Sequence, residues 1–315
     1  MNEMNGTETF VLETIESFDA ARLKIVVGIA TSGRREILSH TIGLLARQTR
    51  LPDYLIVCPA NSDDVDASVL ARFPAPTAIV TGALGSSAQR NRILFEAIDA
   101  DIVVFFDDDY FGCIDYLARI EQLFTDNPDV VAATGRPLED GATGPGLSVE
   151  HALAAVSNAK EQPPGVAIEA TYGAYGCNMA FRLHPVRNYA VLFDENLPLY
   201  GWQEDIDFSR SLAPHGRIVQ YEALRGVHLG NKRGRTSGVR FGYSQVANPV
   251  YLVKKGTLSS AYARPMVIRN IFANLLRFFW PEAWVDRKGR LRGNILALID
   301  IARGRVTPSR ILTLR

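Results

Sequence analysis

Asp107, Asp108 and Asp109 stand in a row directly after the apolar run Ile102-Val103-Val104-Phe105-Phe106. Adjacent carboxylates repel one another unless a cation sits among them. An extended chain alternates its side chains, so Asp107 and Asp109 fall on one side and Asp108 on the other. Hard divalent cations take oxygen ligands, and Mg2+ or Mn2+ typically bridges one or two carboxylates and substrate phosphates. A solvated acidic turn explains the triplet equally well, and the triplet alone does not choose.

A second acidic cluster, Trp202-Gln203-Glu204-Asp205-Ile206-Asp207, opens a helical pattern. Carboxylates in a first helical turn suit the macrodipole. They also place a general base at a helix start, beside an aromatic, Trp202, that can shape a pocket. The stretch Gly173-Ala174-Tyr175-Gly176 followed by 177–182 reads as a strand lining a cleft, or as an ordinary turn and strand. His228 ends a short apolar run. A lone histidine there is more often a core or capping residue, and it becomes a metal ligand only if it meets the Asp-x-Asp pair. Gly85-Ser86-Ser87 opens a helix carrying Arg90 and Arg92, with Ser86 or Ser87 as its N-cap. Backbone donors at such an end favour phosphate, and either arginine can pair with it. A capped helix with solvated arginines is the alternative.

The elements that must position these groups follow from the pattern. The run 102–106 is β-branched and aromatic, the mark of a strand buried on both faces. Strands are expected at 24–30, 54–58 and 77–81, with helices over 36–48, 65–72 and from Ser86 to 98. This β-α-β alternation predicts a parallel sheet with right-handed crossovers. Carboxylates at the C-terminal end of a strand in such a sheet lie where ligands bind. The second half is less regular: a helix over 116–126, a strand at 130–134, a Gly/Pro-rich loop over 135–146, strands at 167–171, 177–182, 218–221 and 225–228, and a helix over 202–213. After position 244 the pattern is helical, at 251–255, 267–279 and 294–303.

The chain has 315 residues, 47% hydrophobic and 22% charged, with formal net charge +0. That is enough to bury a sizeable core, and nothing global points to nucleic acid. Three cysteines without paired spacing argue against a disulfide framework or a zinc site and fit a reducing, cytoplasmic compartment. Residues 1–22 read as an acidic, flexible leader without the basic start and apolar middle of a signal peptide. No stretch reaches the roughly 18 uninterrupted apolar residues of a membrane span. From position 261 onward eleven basic residues face three acids, a local excess of +8 inside a neutral total.

The order of these pieces resembles the family 2 glycosyltransferases, which have the GT-A fold. The resemblance rests on Ala30-Thr31-Ser32-Gly33-Arg34, Asn61-Ser62-Asp63, Ala88-Gln89-Arg90-Asn91, Asp107-Asp108-Asp109, Gly176-Cys177-Asn178 and Glu204-Asp205, in that order, over about 24–230. It implies an α/β GT-A domain over 23–243, with a nucleotide-binding half at 23–111 and an acceptor-binding half at 112–243. A basic helical region over 244–315 would follow. It implies that Thr31, Arg34 and Asp63 lie near the nucleotide base and ribose, and Arg90 in the nucleotide–carboxylate network. Asp109 would be the main metal ligand for Mn2+ or Mg2+, and Asp107 would contact the ribose or the metal. His228 would complete the metal site. Asp205 would be the catalytic base with Glu204 as reserve, and Asn178 and Trp202 would face the acceptor sugar. Asp108, pointing away, would matter least. The loop after the second strand departs from the family's Asp-Asp-Gly-Ser pattern. The Gln-x-x-Arg-Trp motif of processive synthases is absent, which implies transfer of a single sugar.

The resemblance implies a UDP-sugar or related nucleotide diphosphate sugar as donor. The acceptor is expected to be a saccharide or lipid-linked saccharide of bacterial-type surface-polysaccharide assembly. The basic tail mixes cations with large apolar residues, the character of a surface-seeking helix. It suggests peripheral contact with the anionic inner face of the cell membrane, or a helix packed on the catalytic domain. A sugar-phosphate nucleotidyltransferase would want a richer phosphate loop than Thr31-Ser32-Gly33-Arg34. A non-catalytic carbohydrate-binding protein would have no need of Asp107, Asp109, Glu204 and Asp205 together.

Overall fold

The computed structural model describes residues 22–232 and 237–314. The acidic leader therefore lies, but for Arg22, outside the described residues. The first half alternates β1 (Ile25–Thr31), α1 (Arg35–Leu45), β2 (Tyr54–Pro59), α2 (Ala67–Leu70), β3 (Thr77–Ile79), α3 (Ser86–Glu96) and β4 (Ile102–Asp107). Then come β5 (Tyr110–Gly112), α4 (Tyr116–Asp126), β6 (Val130–Thr134), β7 (Glu139–Asp140), α5 (Val149–Asn158), β8 (Ile168–Ala170) and β9 (Asn178–Arg182). The chain continues through α6 (Leu183–Asn188), α7 (Glu204–Leu212), β10 (Arg217–Tyr221) and β11 (Gly226–His228). It finishes with α8 (Gly238–Lys255), α9 (Ser260–Leu276) and α10 (Arg287–Ala302).

The main sheet has the order β3-β2-β1-β4-β9-β6-β10-β8. It is mostly parallel, and only β9 and β8 run against the other strands. A small second sheet, β5-β11-β7, stands beside it. Alternation along β4 works as the pattern implied. Ile102, Val104 and Phe106 enter one buried cluster with Tyr116, Leu117 and Ile120, whereas Val103 and Phe105 enter the other with Ile93 and Phe208. Both faces of β4 are thus covered, so the strand can deliver its terminal acids only at its C-terminal end. Gly28 on β1 permits the close seating of α3: a Cβ there would lie 2.5 Å from the Ile93 side chain.

α5 and α6 have no counterpart in the sequence pattern, and α8 was legible only in its last turns, over 251–255. Residues 149–158 form α5, capped by Ser148, whose hydroxyl accepts from the His151 amide at 3.2 Å. α8 begins at Gly238 and runs across the boundary expected between positions 243 and 244. Pro249 lies inside it, and a proline in a helical pattern reads as a break. The cap of α3 is Gly85, at φ 131, and not either serine: the Ser86 amide is bonded instead to the Leu199 carbonyl at 2.8 Å.

Candidate active site and metal centre

The turn from β4 into β5 carries the three aspartates, and the structure gives each a different environment. Asp107 is the most open, with about a third of its side chain exposed, and accepts a bond from Arg90 Nη2 at 3.0 Å. Asp109 is buried. Its Oδ2 accepts from the Asn231 amide at 2.7 Å and lies 3.4 Å from Arg34 Nη1. Its Oδ1 has no hydrogen-bond partner among the described residues and faces His228 Nε2 at 3.4 Å. Burial pushes the Asp109 carboxyl up, but His228, Arg34 and the Asn231 amide outweigh it and hold the group at about 2.

β11 brings His228 opposite Tyr110 and beside Asp140. Asp140 Oδ1 holds His228 Nδ1 at 2.8 Å, and Tyr175 donates its hydroxyl to the other Asp140 oxygen at 2.9 Å. The imidazole is thereby aimed, with Nε2 toward Asp109. Ligand atoms of Asp107, Asp109 and His228 all lie within 4.8 Å of one another.

Asp108, expected to matter least, is in fact buried and fully engaged. Thr31 Oγ1 and Arg34 Nη1 each donate to it at 2.7 Å, and Thr41 Oγ1 donates to its carbonyl at 2.7 Å. Burial raises its carboxyl to about 6 despite Arg34. Thr31 and Arg34, expected near the base and ribose, therefore spend these donors on Asp108, because the turn after β4 directs Asp108 to the end of β1. Asp63 is exposed at its loop, and its neighbour Asp64 is the inward acid. Asp64 accepts from the Gly33 amide at 2.8 Å and the Asn61 amide at 3.0 Å, stitching the loop after β2 to the loop after β1.

α3 and α7 meet across the end of the sheet. Arg90 is buried and forks: Nη1 is bonded to Glu204 Oε1, and Nη2 reaches Asp107 and the Gly176 carbonyl at 3.0 and 3.2 Å. Ser86 Oγ also donates to Glu204, at 3.1 Å. Arg92 is different, pairing with Glu96 on the exposed face of α3. Glu204 is buried, and burial together with neighbouring Asp205 raises it to about 7 although Arg90 opposes the rise. Asp205 is only half-buried. Its Oδ2 accepts from the Gly176 amide at 3.0 Å and its Oδ1 from the Ile206 amide at 2.8 Å. Burial also raises the Asp205 carboxyl, against those amides and Arg90.

Asn178, expected to face an acceptor sugar, is fully buried instead. Its Oδ1 accepts from the Gly135 amide at 2.6 Å and Thr134 Oγ1 at 3.0 Å, and its amide donates to Cys177 Sγ. It is a brace between β6 and β9, because the strand is covered on both faces. Trp202 is half-buried: its carbonyl accepts from Asn248 at 2.8 Å and its ring meets Phe241 edge-on at 6.0 Å. Gly201 before it adopts φ 61, a left-handed turn that favours glycine.

Three solved structures share this architecture over most of the chain. The mannosyltransferase PcManGT from Pyrobaculum calidifontis, in complex with GDP-Man and Mn2+, matches with a TM-score of 0.51 at 15% identity, over 93% of this chain and 79% of its own. S. aureus TarS 1–349 in complex with UDP-GlcNAc matches at 0.53 and 14%, over 93% and 84%. GalNAc-T7 with UDP, GalNAc and Mn2+ matches at 0.56 and 10%, over 94% and 57%. The fold is GT-A. No protein-family model matches the sequence, and no curated protein sequence does.

Within this GT-A frame the donor set fits a hard or borderline divalent cation: two carboxylates and an imidazole whose far nitrogen is already held by a carboxylate. The strongest sign is Asp109 Oδ1, which is buried, meets no hydrogen-bond donor among the described residues and faces the His228 imidazole at 3.4 Å, so that a cation between the two would serve both.

Proposed function

We propose that the chain is an inverting, non-processive glycosyltransferase. It moves one sugar from a nucleotide diphosphate sugar, a UDP-sugar, to a hydroxyl of a saccharide or lipid-linked saccharide in surface-polysaccharide assembly. The reading carries with it a cytoplasmic enzyme working at the inner face of the cell membrane. The observation that carries it is the Arg90 bridge, which joins the Asp107-Asp109-His228 group to the helix start bearing Glu204 and Asp205.

Asp205 is the better base of the two acids. It is the more exposed, it is oriented by two backbone amides, and its raised pKa suits proton acceptance. It takes the proton of the acceptor hydroxyl as that oxygen bonds the anomeric carbon and the bond to the diphosphate oxygen breaks on the opposite face. Inversion follows. Glu204, tied to Arg90 and Ser86, holds the geometry. Asp107, Asp109 and His228 would hold Mn2+ or Mg2+, which supplies charge neutralisation for the departing diphosphate. Asp63 would lie at the rim near the base. UDP and UDP-GlcNAc in the TarS complexes support a uridine nucleotide, while GDP-Man in PcManGT keeps guanosine in the test.

The nucleotidyltransferase reading loses ground because Thr31 and Arg34 are engaged with Asp108, not arrayed as an open phosphate cradle. The test is thermal denaturation against a panel of nucleoside diphosphates with Mn2+, followed by release of free sugar from the nucleotide sugar that stabilises most. Ligand that binds only the folded state raises Tm. If no nucleoside diphosphate raises Tm in the presence of metal, the reading fails.

A further inference from the structure

The C-terminal helices bury polar residues and expose apolar ones. Between α9 and α10, Asn274 donates to Asn294 Oδ1 and to Gln245 Oε1 on α8, each at 2.8 Å, and Asn294 donates to the Gly242 carbonyl. Opposite Asn274, at about 100° per residue, lie Pro265, Phe272 and Leu276, with Ile268 and Leu275 along one edge of that face. Ile268 is 66% exposed and Phe272 58%. Just past the helix, Phe279 and Trp280 are 68% and 80% exposed, and Trp284 follows at 41%. α10 likewise turns Ile295, Leu298 and Ile299 outward. The exposed Arg264 and Arg269 flank the α9 stripe on its two sides.

Charge chooses the occupant. The three acids of this region are consumed internally. Glu282 pairs with Arg277 and Arg287, Asp300 with Arg305 and Arg310, and Asp286 caps α10 through the Gly289 amide. A second copy of this chain would bring one cationic rim against another. An anionic lipid surface complements the rim, accepts the apolar stripe, and suits tryptophans at its headgroup level. No helix among the described residues is long and apolar enough to cross a membrane.

We infer that the outer face of α9 and α10 is a docking surface for an anionic phospholipid bilayer. The surface is coupled to the proposed site. Tyr262, in the first turn of α9, stacks on Tyr172 with ring centres 4.1 Å apart, and the Ser259 amide donates to the Tyr172 hydroxyl. Tyr172 adjoins Gly173, which packs against Ile206, the residue after Asp205. Docking would therefore bring the acceptor side of Asp205 close to the bilayer, where a lipid-linked acceptor resides; this step rests on the transferase reading, whereas the docking itself does not.

The test is co-sedimentation of the full chain with phosphatidylglycerol vesicles and with pure phosphatidylcholine vesicles, at low and high salt. The expected result is binding to the anionic vesicles that falls with salt. Ile268→Glu/Phe272→Glu should weaken it at least about tenfold, and Arg264→Gln or Arg269→Gln about fivefold each. Absence of binding to anionic vesicles at low salt overturns the inference, as does undiminished binding by the double variant. A wild-type dimer in light scattering that Ile268→Glu/Phe272→Glu dissolves also overturns it, in favour of a second copy. The thermal shift with UDP and Mn2+, read on the same wild-type and variant proteins, separates loss of docking from failure of the transferase reading.

Discussion

Arg90 and Glu204, 114 residues apart in the chain, share a buried ion pair. The second Arg90 nitrogen holds Asp107 at 3.0 Å, so one planar group fixes the end of β4 relative to the start of α7. A point charge on a flexible stem could pair with either acid but could not set the angle between them.

Arg90→Lys should therefore fold but turn over poorly, with the loss in kcat exceeding any rise in KM. Arg90→Ala leaves buried Glu204 and part-exposed Asp107 without their cation, and should cost about 3 kcal/mol of stability, most of it at Glu204. Urea unfolding and steady-state turnover measure both. Wild-type kcat in Arg90→Lys would sink the positioning role.

The pH profile should report Asp205. A base must be ionised to work, and burial raises its carboxyl, so activity is lost as pH falls through that raised value. Glu204→Gln removes a neighbouring negative charge and leaves Arg90 to favour ionised Asp205, so the acid limb should move to lower pH. Asp205→Asn should lower kcat by about 10²–10⁴ with nucleotide binding retained. Stability has its own signature. Glu204 is raised from 4.5 to about 7, so the fold favours its protonated form. That contribution is present below pH 4.5 and is lost as pH rises toward about 7. Glu204→Gln should flatten this part of the Tm profile.

How far the sequence carries depends on the kind of signal. β4 and α4 were readable because a doubly buried strand and a strong helical stripe have distinct periods. β7 was not: Glu139 and Asp140 form a two-residue strand inside a Gly/Pro-rich loop, and pairing with β11 alone makes it one. Asp140 was invisible for that reason, although it orients His228. Tyr175, which holds Asp140, sits in a turn where an aromatic carries no period. Alternation correctly put Asp107 and Asp109 in one group, yet burial and pairing at Asp108 depend on Thr31 and Arg34 arriving from β1. Asn178 shows the reverse error: a motif position does not say whether the strand carrying it is covered.

Asp140→Asn should weaken metal binding without replacing a proposed ligand. The carboxylate on Nδ1 fixes the tautomer that leaves Nε2 free to coordinate, and loss of such a partner typically costs 10–100-fold in affinity, as a rough guide. Mn2+ titration by calorimetry or electron paramagnetic resonance checks it. His228→Ala should show a larger loss than Asp140→Asn, and Tyr175→Phe a smaller one. Equal affinity in Asp140→Asn and wild type would remove His228 from the ligand set.

Asp108→Asn tests whether the buried clamp matters to the site or only to the fold. The amide can still accept from Thr31, but it withdraws the negative charge that Arg34 faces at 2.7 Å. Arg34 already lies 3.4 Å from Asp109, so its charge should shift toward that carboxylate and compete with a bound cation. The expected outcome is weaker Mn2+ binding together with a stability loss on the order of 2 kcal/mol. Arg34→Gln in the same background removes the competitor and should restore metal affinity but not stability. If Asp108→Asn loses stability with metal binding unchanged, Asp108 acts only as a strut between β4 and the turn after β1.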